Sequence, residues 1–343
     1  MTKMSKHQAT LKEVAELAGV SVSSVSKIIT NNTKFSFKQE TVDKVKWAAK
    51  ELNYNPNILA RGMVGGNSPV IGFFMPNILN PFFAEVVNII EEYLRHKGYL
   101  LILCLFNDDP VLMNKYLKYL MEIRAIGAII GSSKVDECNE AVLRAGQFMS
   151  IVSFQSDIPG IDLVDTNNVE SGYEIIHYLL EKGHRNIGFL GYRYDMAVMG
   201  GRLEGYKRAL AEYKVPYRQE YVPACKHSSE SAYSQTIELL KLENRPTAIF
   251  CANEFLATFS YRAIYDYGLS IPEDISVASM DNMAMNGLIP PITTMAQPIR
   301  EMSLKAVDLL IDRIQKKKEE VEIEPRKIII KSKLIERDSV NEI

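Results

Sequence analysis

From residue 70 onwards, short apolar segments alternate with stretches of helical hydrophobic period, and this alternation limits the possible fold more than any other feature. Segments that are apolar along their whole length indicate strands buried on both faces, as in parallel sheets covered by helices. The predicted strands span residues 70–75, 100–106, 125–130, 150–154, 187–190, 247–251 and 275–280. Their number predicts an α/β fold with two doubly wound parallel lobes.

Changes of pattern along the chain predict the domain boundaries. The predicted units are a helical headpiece, a linker and a two-lobed core, at residues 1–55, 56–67 and 68–343. Within the core, the chain is expected to cross between lobes near residues 162–168, near 294–298 and after 316–320. The first lobe then comprises about 68–165 and 297–322, and the second about 166–296 and 323–343.

Composition and charge limit the class of protein. The 343 residues are 47% hydrophobic and 24% charged, which is typical of a soluble globular protein with two or three cores. The longest apolar runs are far shorter than the ~20 residues of a membrane span. The polar, basic N-terminus lacks the apolar stretch of a secretory signal. We therefore expect a cytoplasmic protein without a membrane partner.

The charge is unevenly distributed. The chain has a net charge of -2, yet residues 1–67 contain ten basic and five acidic side chains. A basic N-terminal module on an acidic body indicates a polyanionic partner for that module alone.

The N-terminal segment has the pattern of a helix-turn-helix. Thr10 and Glu13 form a capping box at the start of a first helix. Gly19 provides a tight turn, and Ser21 can cap a second helix that runs to about Ile29. Two short helices joined by such a turn are the outline of this DNA-binding motif.

A third helix is predicted from a second capping box, formed by Ser36 and Gln39, and Trp47 is expected to seal the small core. Pro56 ends this helix. The linker that follows has room for barely two helical turns, which are unstable alone, so we expect it to fold only when something holds it.

The second helix is predicted to read DNA from the major groove with its first turns. Val22, Ser23 and Lys27 are the predicted base readers, with Lys27 donating to guanine acceptors. Ser21 and Ser24 are expected to bind phosphates. A plain three-helix bundle would explain the periodicity, but it would not require small polar residues at an exposed helix start.

Short motifs occur in a fixed order along the whole chain, including Thr10-Leu11-Lys12-Glu13-Val14-Ala15, Tyr54-Asn55-Pro56-Asn57, Asn80-Pro81-Phe82-Phe83, Gly201-Arg202-Leu203-Glu204-Gly205-Tyr206, Asp281-Asn282, Gln297-Pro298 and Leu334-Ile335-Glu336-Arg337. This order resembles the lactose and purine repressor family. The resemblance implies a periplasmic-binding-protein-like core and a homodimer that binds double-stranded operator DNA on the bacterial nucleoid. It also implies a small-molecule effector.

The resemblance also implies a role for the linker. In the family, the linker forms a hinge helix on operator DNA, and paired hinge helices insert a leucine into the minor groove. The matching residue here is Met63, an apolar side chain that can act as a wedge. Gly62 before it weakens the helix by ~1 kcal/mol relative to alanine. Asn57 and Arg61 are the other linker residues expected to contact DNA.

A cleft at the carboxyl ends of the strands is the expected effector site. The contacts that the resemblance implies are Phe82, Phe154, Arg202, His227, Asn253 and Asp281. Arg202 and Asp281 would bind hydroxyl groups, and an interlobe salt bridge between them is the alternative. His227 stands where relatives have a stacking aromatic residue, and Phe154 where many have an aspartate. Asn253 favours a sugar or sugar derivative.

The sequence offers no other site chemistry. The four cysteines are scattered and are expected to be free buried thiols, and the five histidines lack metal-ligand spacing. No phosphate-binding glycine loop or GxSxG motif is present. We therefore predict no enzyme activity, no cofactor and no metal.

Three other classes of protein stay open. A solute-binding protein shares the core, but the basic headpiece argues against it. A small doubly wound enzyme would need a nucleophile or phosphate loop. A regulator gated by a protein corepressor is the third. The sequence also leaves open the operator, the direction of the effector response, and the choice between a dimer and a tetramer.

Overall fold

A computed structural model of the protein describes residues 9–29, 35–54, 68–131, 138–192, 194–283, 287–321 and 323–343. The chain divides into two compact units, Met1–Ser68 and Pro69–Ile343. The linker residues predicted to contact DNA, Asn57, Arg61 and Met63, lie outside the described residues.

The described residues of the N-terminal unit form three helices, α1 (Leu11–Ala18), α2 (Val22–Ile29) and α3 (Gln39–Glu51). Their inward side chains are small and apolar and form one cluster: Val14, Ala15, Ala18, Val25, Ile28, Val45 and Ala48. A core of such limited volume leaves little excess stability, so the ends of the helices contribute a large share.

The predicted capping box begins α1. The Thr10 amide donates to Glu13 Oε2 at 2.7 Å, and the Glu13 amide donates to Thr10 Oγ1 at 3.3 Å. Gly19 ends the helix with a φ of 66°, a left-handed conformation that glycine adopts without strain.

The capping box gives a first testable prediction. Thr10→Ala removes the acceptor for the Glu13 amide and is expected to lower the free energy of unfolding of the headpiece by about 1 kcal/mol. Thr10→Ser keeps the hydroxyl and serves as the control. Thermal unfolding followed by helical circular dichroism measures both. Equal stability of the alanine and serine variants would contradict the assignment.

Two headpiece predictions are wrong. Helix α3 begins at Gln39 with Lys38 at its N-cap and without a side-chain cap, so Ser36 does not form a capping box. Trp47 is 54% exposed and does not seal the core. Val45 and Ala48 fill the core, and Trp47, two residues beyond Val45, falls on the opposite side of the helix.

The first lobe of the larger unit is built on a six-stranded sheet with the order β11-β5-β4-β3-β1-β2. Its strands are β1 (Ser68–Met75), β2 (Leu100–Leu105), β3 (Ala125–Gly131), β4 (Ser150–Phe154), β5 (Asp162–Asp165) and β11 (Lys327–Ile329). The faces are covered by α4 (Pro81–His96) and α11 (Ile299–Lys318) on one side, and α5 (Pro110–Glu122) and α6 (Asn139–Phe148) on the other.

The second lobe repeats this plan, with the sheet order β12-β10-β9-β8-β6-β7. Its strands are β6 (Ile187–Tyr192), β7 (Ala224–Cys225), β8 (Ala248–Cys251), β9 (Ser276–Asp281), β10 (Thr293–Ala296) and β12 (Lys333–Ile335). β12 runs antiparallel to β10, whereas β6, β7, β8, β9 and β10 pair in parallel. The helices are α7 (Asn168–Glu181), α8 (Ala197–Glu212), α9 (Ser229–Leu240) and α10 (Glu254–Asp266). The predicted class of two doubly wound lobes is confirmed.

Three crossings join the lobes. The chain leaves the first sheet after Asp165, leaves the second after Ala296, and crosses again between Ile329 and Lys333. The sequence predicts the last crossing after residues 316–320, with the second lobe resuming at residue 323. This prediction is wrong, because the chain crosses only after Ile329. The segment after α11 first adds β11 to the open edge of β5, because an unpaired strand edge offers hydrogen-bonding groups to any extended segment nearby.

Two glycines let α7 and α8 approach each other closely. A Cβ atom at Gly172 would lie 2.4 Å from the Arg202 carbonyl oxygen, and one at Gly205 would lie 2.1 Å from the Val169 carbonyl oxygen. The glycines therefore fix the position of Arg202 in the second lobe.

None of the described helices is long and apolar enough to span a bilayer.

Gly205→Ala is expected to lower the free energy of unfolding of the core by about 3 kcal/mol, because the new methyl group would force two backbones apart. Gly146→Ala is the matched control. It lies in α6, where the nearest atoms would be 4.0 Å from the Cβ atom, and is expected to be neutral or slightly stabilising. Urea unfolding measures both, and equal stability of the two variants would show that the α7–α8 contact can relax.

Candidate functional site

Polar side chains from the ends of several strands surround a cleft in the larger unit. β9 ends at Asp281, Asn253 follows β8, and Arg202 lies on α8. Together with Phe82 of the first lobe they line a cleft between the two lobes. This position at the carboxyl ends of parallel strands, with convergent polar side chains, is typical of a small-molecule site.

Arg202 is a charged group held inside the protein. It is 2% exposed, and its Nε donates to Asn168 Oδ1 at 3.1 Å while Nη1 donates to the carbonyl oxygen of Ala252. Burial lowers the pKa of Arg202, whereas Asp281 raises it. A guanidinium remains protonated in proteins, so the cleft contains a fixed cation with its donors oriented.

Asp281 is buried beside this cation. Burial raises the pKa of Asp281, and Arg202 opposes that shift. Gln297 Nε2 donates to Asp281 Oδ1 at 2.5 Å, and Gln155 Nε2 donates to Gln297 Oε1 at 2.6 Å. Gln155 follows β4 in the first lobe, so this chain of hydrogen bonds joins the two lobes at the cleft.

The interlobe salt bridge considered for Arg202 and Asp281 is wrong, because both residues belong to the second lobe. Their hydrogen bonds to other described residues go to amide and carbonyl groups. The two charges influence each other's pKa without being engaged by a direct partner of opposite charge, which leaves them suited to a ligand.

Asn253 provides a donor with a fixed direction. Its Oδ1 accepts from the Leu256 amide at 3.0 Å and caps α10. Its Nδ2 is buried and has no hydrogen-bond partner. An unsatisfied buried donor costs about 1–3 kcal/mol, and a ligand oxygen in the cleft would remove that cost.

The three aromatic residues that were predicted to contact the effector occupy different places in the structure. Phe82 forms a wall of the cleft. Phe154 is fully buried, with its ring centroid 6.4 Å from that of Phe82, and does not line the cleft. His227 lines an adjoining cavity, and its ring lies between those of Tyr192 and Phe255, tilted by 33° and 42° to them, at centroid distances of 4.5 and 4.6 Å.

Gln155, Gln297 and Asn168 are site residues that the sequence reasoning missed. Gln297 belongs to a motif of the family, whereas no local sequence pattern distinguishes Gln155 or Asn168. Asn168 and Gln297 lie at crossings between the lobes, because Asn168 begins α7 and Gln297 precedes α11. Gln155 follows β4 within the first lobe and joins the site through its hydrogen bond to Gln297.

Four of the predicted DNA-reading residues lie at the start of α2 or just before it, and Lys27 lies in its last turn. Ser21, Val22 and Ser23 are exposed, and Ser24 and Lys27 are partly buried. The Ser24 amide donates to Ser21 Oγ at 3.1 Å, so Ser21 caps the helix. Lys27 Nζ lies 3.8 Å from the ring centroid of Phe35.

Asp165 ends β5 beside the cleft. The Thr166 amide donates to its Oδ1 at 2.7 Å, and Asn168 Nδ2 approaches the same oxygen at 3.4 Å. Burial raises the pKa of Asp165 from 3.8 to about 7, despite the opposing effects of the Thr166 amide and Arg202.

This raised pKa predicts a pH effect on stability. The folded protein binds the Asp165 proton more tightly than the unfolded chain does, so the resulting stabilisation is complete below pH 3.8 and is lost as the pH rises to about 7. Asp165→Asn does not titrate. We expect the Tm of the natural protein to fall relative to that of the variant between about pH 4 and pH 7. A constant difference in Tm over this range would contradict the prediction.

The described residues contain no group of three or more His, Cys, Asp and Glu side chains that could hold a metal ion. All four cysteines are buried free thiols, in agreement with the sequence-based expectation. Burial raises the pKa of Cys104 and Cys251 to about 12, so neither forms a reactive thiolate at neutral pH.

A helix-turn-helix unit and a two-lobed unit with a cleft lined by buried polar and charged side chains define the class: a DNA-binding transcription regulator that responds to an effector. Residues 10–57 match the profile of bacterial regulatory proteins, lacI family, and residues 176–340 match that of a periplasmic binding protein-like domain. The chain belongs to the lacI family of bacterial regulatory proteins.

Relatives agree over nearly the full length. The HTH-type transcriptional repressor PurR of Aliivibrio salmonicida is 34% identical over 91% of this chain and 94% of its own. A LacI family transcriptional regulator from Enterococcus faecium, solved with bound ribose, is 31% identical with a TM-score of 0.71, covering 80% of this chain and 99% of that one. The lac repressor dimer bound to operator and an anti-inducer shares the fold, with 24% identity, a TM-score of 0.83, and coverage of 98% and 100%. The chain is thus an effector-gated transcriptional repressor and not an enzyme.

Proposed function

We propose that this repressor acts as a homodimer on a roughly palindromic operator and is switched by a carbohydrate bound between the lobes of its core. The observation that carries the carbohydrate assignment is the pairing of one buried cation, Arg202, with one buried carboxylate, Asp281, among neutral amides. The ribose bound by the Enterococcus faecium regulator supports the same class of ligand.

Hydroxyl groups match this arrangement. A hydroxyl can donate one hydrogen bond and accept others, so neighbouring hydroxyls of a sugar can donate to Asp281 and accept from Arg202 and Asn253. Hydrogen bonds to charged groups contribute about 1.5–3 kcal/mol each. A strongly anionic ligand would be repelled by Asp281, and a wholly apolar one would leave both charges without partners.

The same hydrogen bonds offer a route for the switch. Asp281 Oδ1 is engaged by Gln297, which is engaged in turn by Gln155 of the first lobe. A sugar hydroxyl that takes over Asp281 would release or rearrange this connection and thereby favour one relative position of the lobes. An effector changes DNA affinity only through such a difference in affinity for two states.

Two-fold symmetry of the dimer would set the spacing of the operator half-sites. Ser21, Val22, Ser23, Ser24 and Lys27 are the proposed contacts from α2, with Asn57, Arg61 and Met63 from the linker. Action on chromosomal operators would place the protein in the cytoplasm.

A two-stage experiment tests the proposal. An operator is first selected from a random DNA pool by the purified protein, and operator affinity is then measured by fluorescence anisotropy with and without a panel of sugars. We expect a sugar of this panel to change the affinity for the operator. A selected operator whose affinity no sugar changes, combined with no heat of sugar binding in calorimetry, would favour a protein corepressor instead.

A further inference from the structure

The turn that carries Asp281 has an unusual backbone conformation. Asp281 has a φ of 105° and Asn282 a φ of 66°, so two consecutive residues with side chains lie in the left-handed region. Asp281 lies outside the φ range of about +50° to +70° that such residues tolerate best. A conformation of this kind persists only where the surrounding structure holds it. The position of the Asp281 carboxylate therefore depends on the groups that hold residues 281–283.

The carboxylate of Glu254 holds this turn. Glu254 Oε1 accepts from the Asn282 amide at 2.9 Å, and Oε2 accepts from the Met283 amide at 2.8 Å. Glu254 is only 4% exposed, so both hydrogen bonds are shielded from solvent. Hydrogen bonds to an ionised carboxylate are shorter and stronger than neutral ones. Two of them on successive amides fix the backbone of the turn at two points.

The backbone of Glu254 also contacts the Asp281 side chain. Glu254 is the first residue of α10, where the amides have no hydrogen-bond partner within the helix. Burial raises the pKa of Asp281, and the Glu254 amide, which donates to the Asp281 carboxylate, is one of the groups that oppose this shift. Each of the two acidic side chains thus binds the backbone that carries the other, and this joins the turn to the start of α10.

Arg337 provides a second anchor for the turn. It follows β12, and its Nη2 donates to Asn282 Oδ1 while its Nη1 donates to the Ile292 carbonyl oxygen at 2.7 Å. Thr293, the first residue of β10, holds the Arg337 backbone, because the Arg337 amide donates to Thr293 Oγ1 at 3.0 Å. Neither Glu254 nor Arg337 is among the described residues that line the cleft. Both can therefore affect a ligand in the cleft only through the turn.

We propose that Glu254 is a positioning residue of the effector site: its carboxylate keeps residues 281–283 in the conformation that directs the Asp281 carboxylate into the cleft. This inference rests on the proposed function, because it takes Asp281 as an effector contact. A carboxylate is required at this place, since the amide of a glutamine has one acceptor oxygen and would turn an NH2 group toward the second backbone amide. Glu254→Gln therefore removes one of the two hydrogen bonds at nearly constant side-chain volume.

Hydrogen–deuterium exchange of the full-length protein tests the two hydrogen bonds without a ligand. We expect the Asn282 and Met283 amides to exchange about tenfold or more faster in Glu254→Gln, which corresponds to the loss of one hydrogen bond to a charged group. Peptides from β8 are expected to exchange at the natural rate, and this verifies that the variant is folded. Glu230→Gln is the matched control, because Glu230 also lies in the first turn of a second-lobe helix but is exposed.

Calorimetry with ribose, the sugar bound by the Enterococcus faecium regulator, tests the consequence for the site. We expect Glu254→Gln to weaken ribose binding by about tenfold and Glu230→Gln to leave it unchanged. In the Asp281→Asn background, Glu254→Gln is expected to cause little further loss of affinity, because two changes that act through one group are not additive. A residue that contributed only to general stability would weaken binding equally in both backgrounds.

The two measurements separate this inference from the carbohydrate assignment. Exchange of the two amides at the natural rate in Glu254→Gln would overturn the positioning role. Ribose affinity that is unchanged in Glu254→Gln, or reduced equally in both backgrounds, would overturn it as well. If the natural protein bound no ribose while exchange in Glu254→Gln was faster, the result would support the hold of Glu254 on the turn and count against ribose as the effector.

Discussion

Replacing Arg202 by alanine is expected to weaken effector binding by about a hundredfold or more. The substitution removes the only charged hydrogen-bond donors among the described residues of the cleft wall. Loss of two charge-assisted hydrogen bonds corresponds to a decrease in affinity of that size. The same change leaves the carboxylate of Asp281 buried beside no cation, which is expected to lower the free energy of unfolding by about 3–5 kcal/mol. Calorimetry with the responding sugar and urea unfolding measure the two effects. Operator affinity in the absence of sugar is expected to stay close to that of the natural protein.

A double variant separates loss of binding from loss of stability. Arg202→Met combined with Asp281→Asn removes both charges and keeps an amide that Gln297 can bond. We expect it to recover stability relative to Arg202→Ala, since no lone charge stays buried, but to remain without effector response. Sugar binding by the double variant at natural affinity would show that the two charges serve the fold alone.

Local sequence patterns predicted the elements that are long or strongly apolar. The seven predicted strands all occur, and α1 begins at the predicted capping box. The strands that were not predicted, β5, β7, β10, β11 and β12, are two to four residues long. Such segments form because a sheet edge is available to pair with them, and that edge is a product of the tertiary fold.

The dependence on tertiary structure also explains which site residues the sequence predicted and which it did not. Arg202, Asn253 and Asp281 belong to motifs that resemble a known family, and all three line the cleft. Gln155 and Gln297 meet across 142 residues of sequence, and only the topology of the crossings brings them together.

Phe154 was predicted to contact the effector, but the residue that lines the cleft is its neighbour, Gln155. Phe154 is the last residue of β4, and its apolar ring packs behind Phe82. The chain then adopts a left-handed conformation at Gln155, with a φ of 62°, which turns that amide toward the cleft. The family resemblance therefore indicates the correct turn but selects the side chain next to the one that lines the cleft.

The headpiece provides the second large effect. Lys27→Ala is expected to reduce affinity for a selected operator by about ten- to a hundredfold, because contacts of this kind to guanine are worth about 1–3 kcal/mol. Affinity for a scrambled duplex should fall much less, since it depends on phosphate neutralisation by many cations. Anisotropy titrations with the two duplexes at several salt concentrations measure the ratio.

Lys12→Ala is the matched control, because it removes the same charge from α1, where the side chain is 79% exposed. It should weaken binding to both duplexes equally and leave the ratio of the two affinities unchanged.

In the free protein Lys27 Nζ lies 3.8 Å from the centroid of the Phe35 ring, so the ammonium group is already held on one side of α2 before DNA binds. The Lys27 side chain therefore loses less conformational entropy when it binds DNA, which favours a contact to a specific base over a loose contact to the phosphates. If Lys27→Ala and Lys12→Ala lowered both affinities in the same proportion, Lys27 would be a phosphate contact, and base recognition would have to come from Val22 and Ser23 at the start of α2.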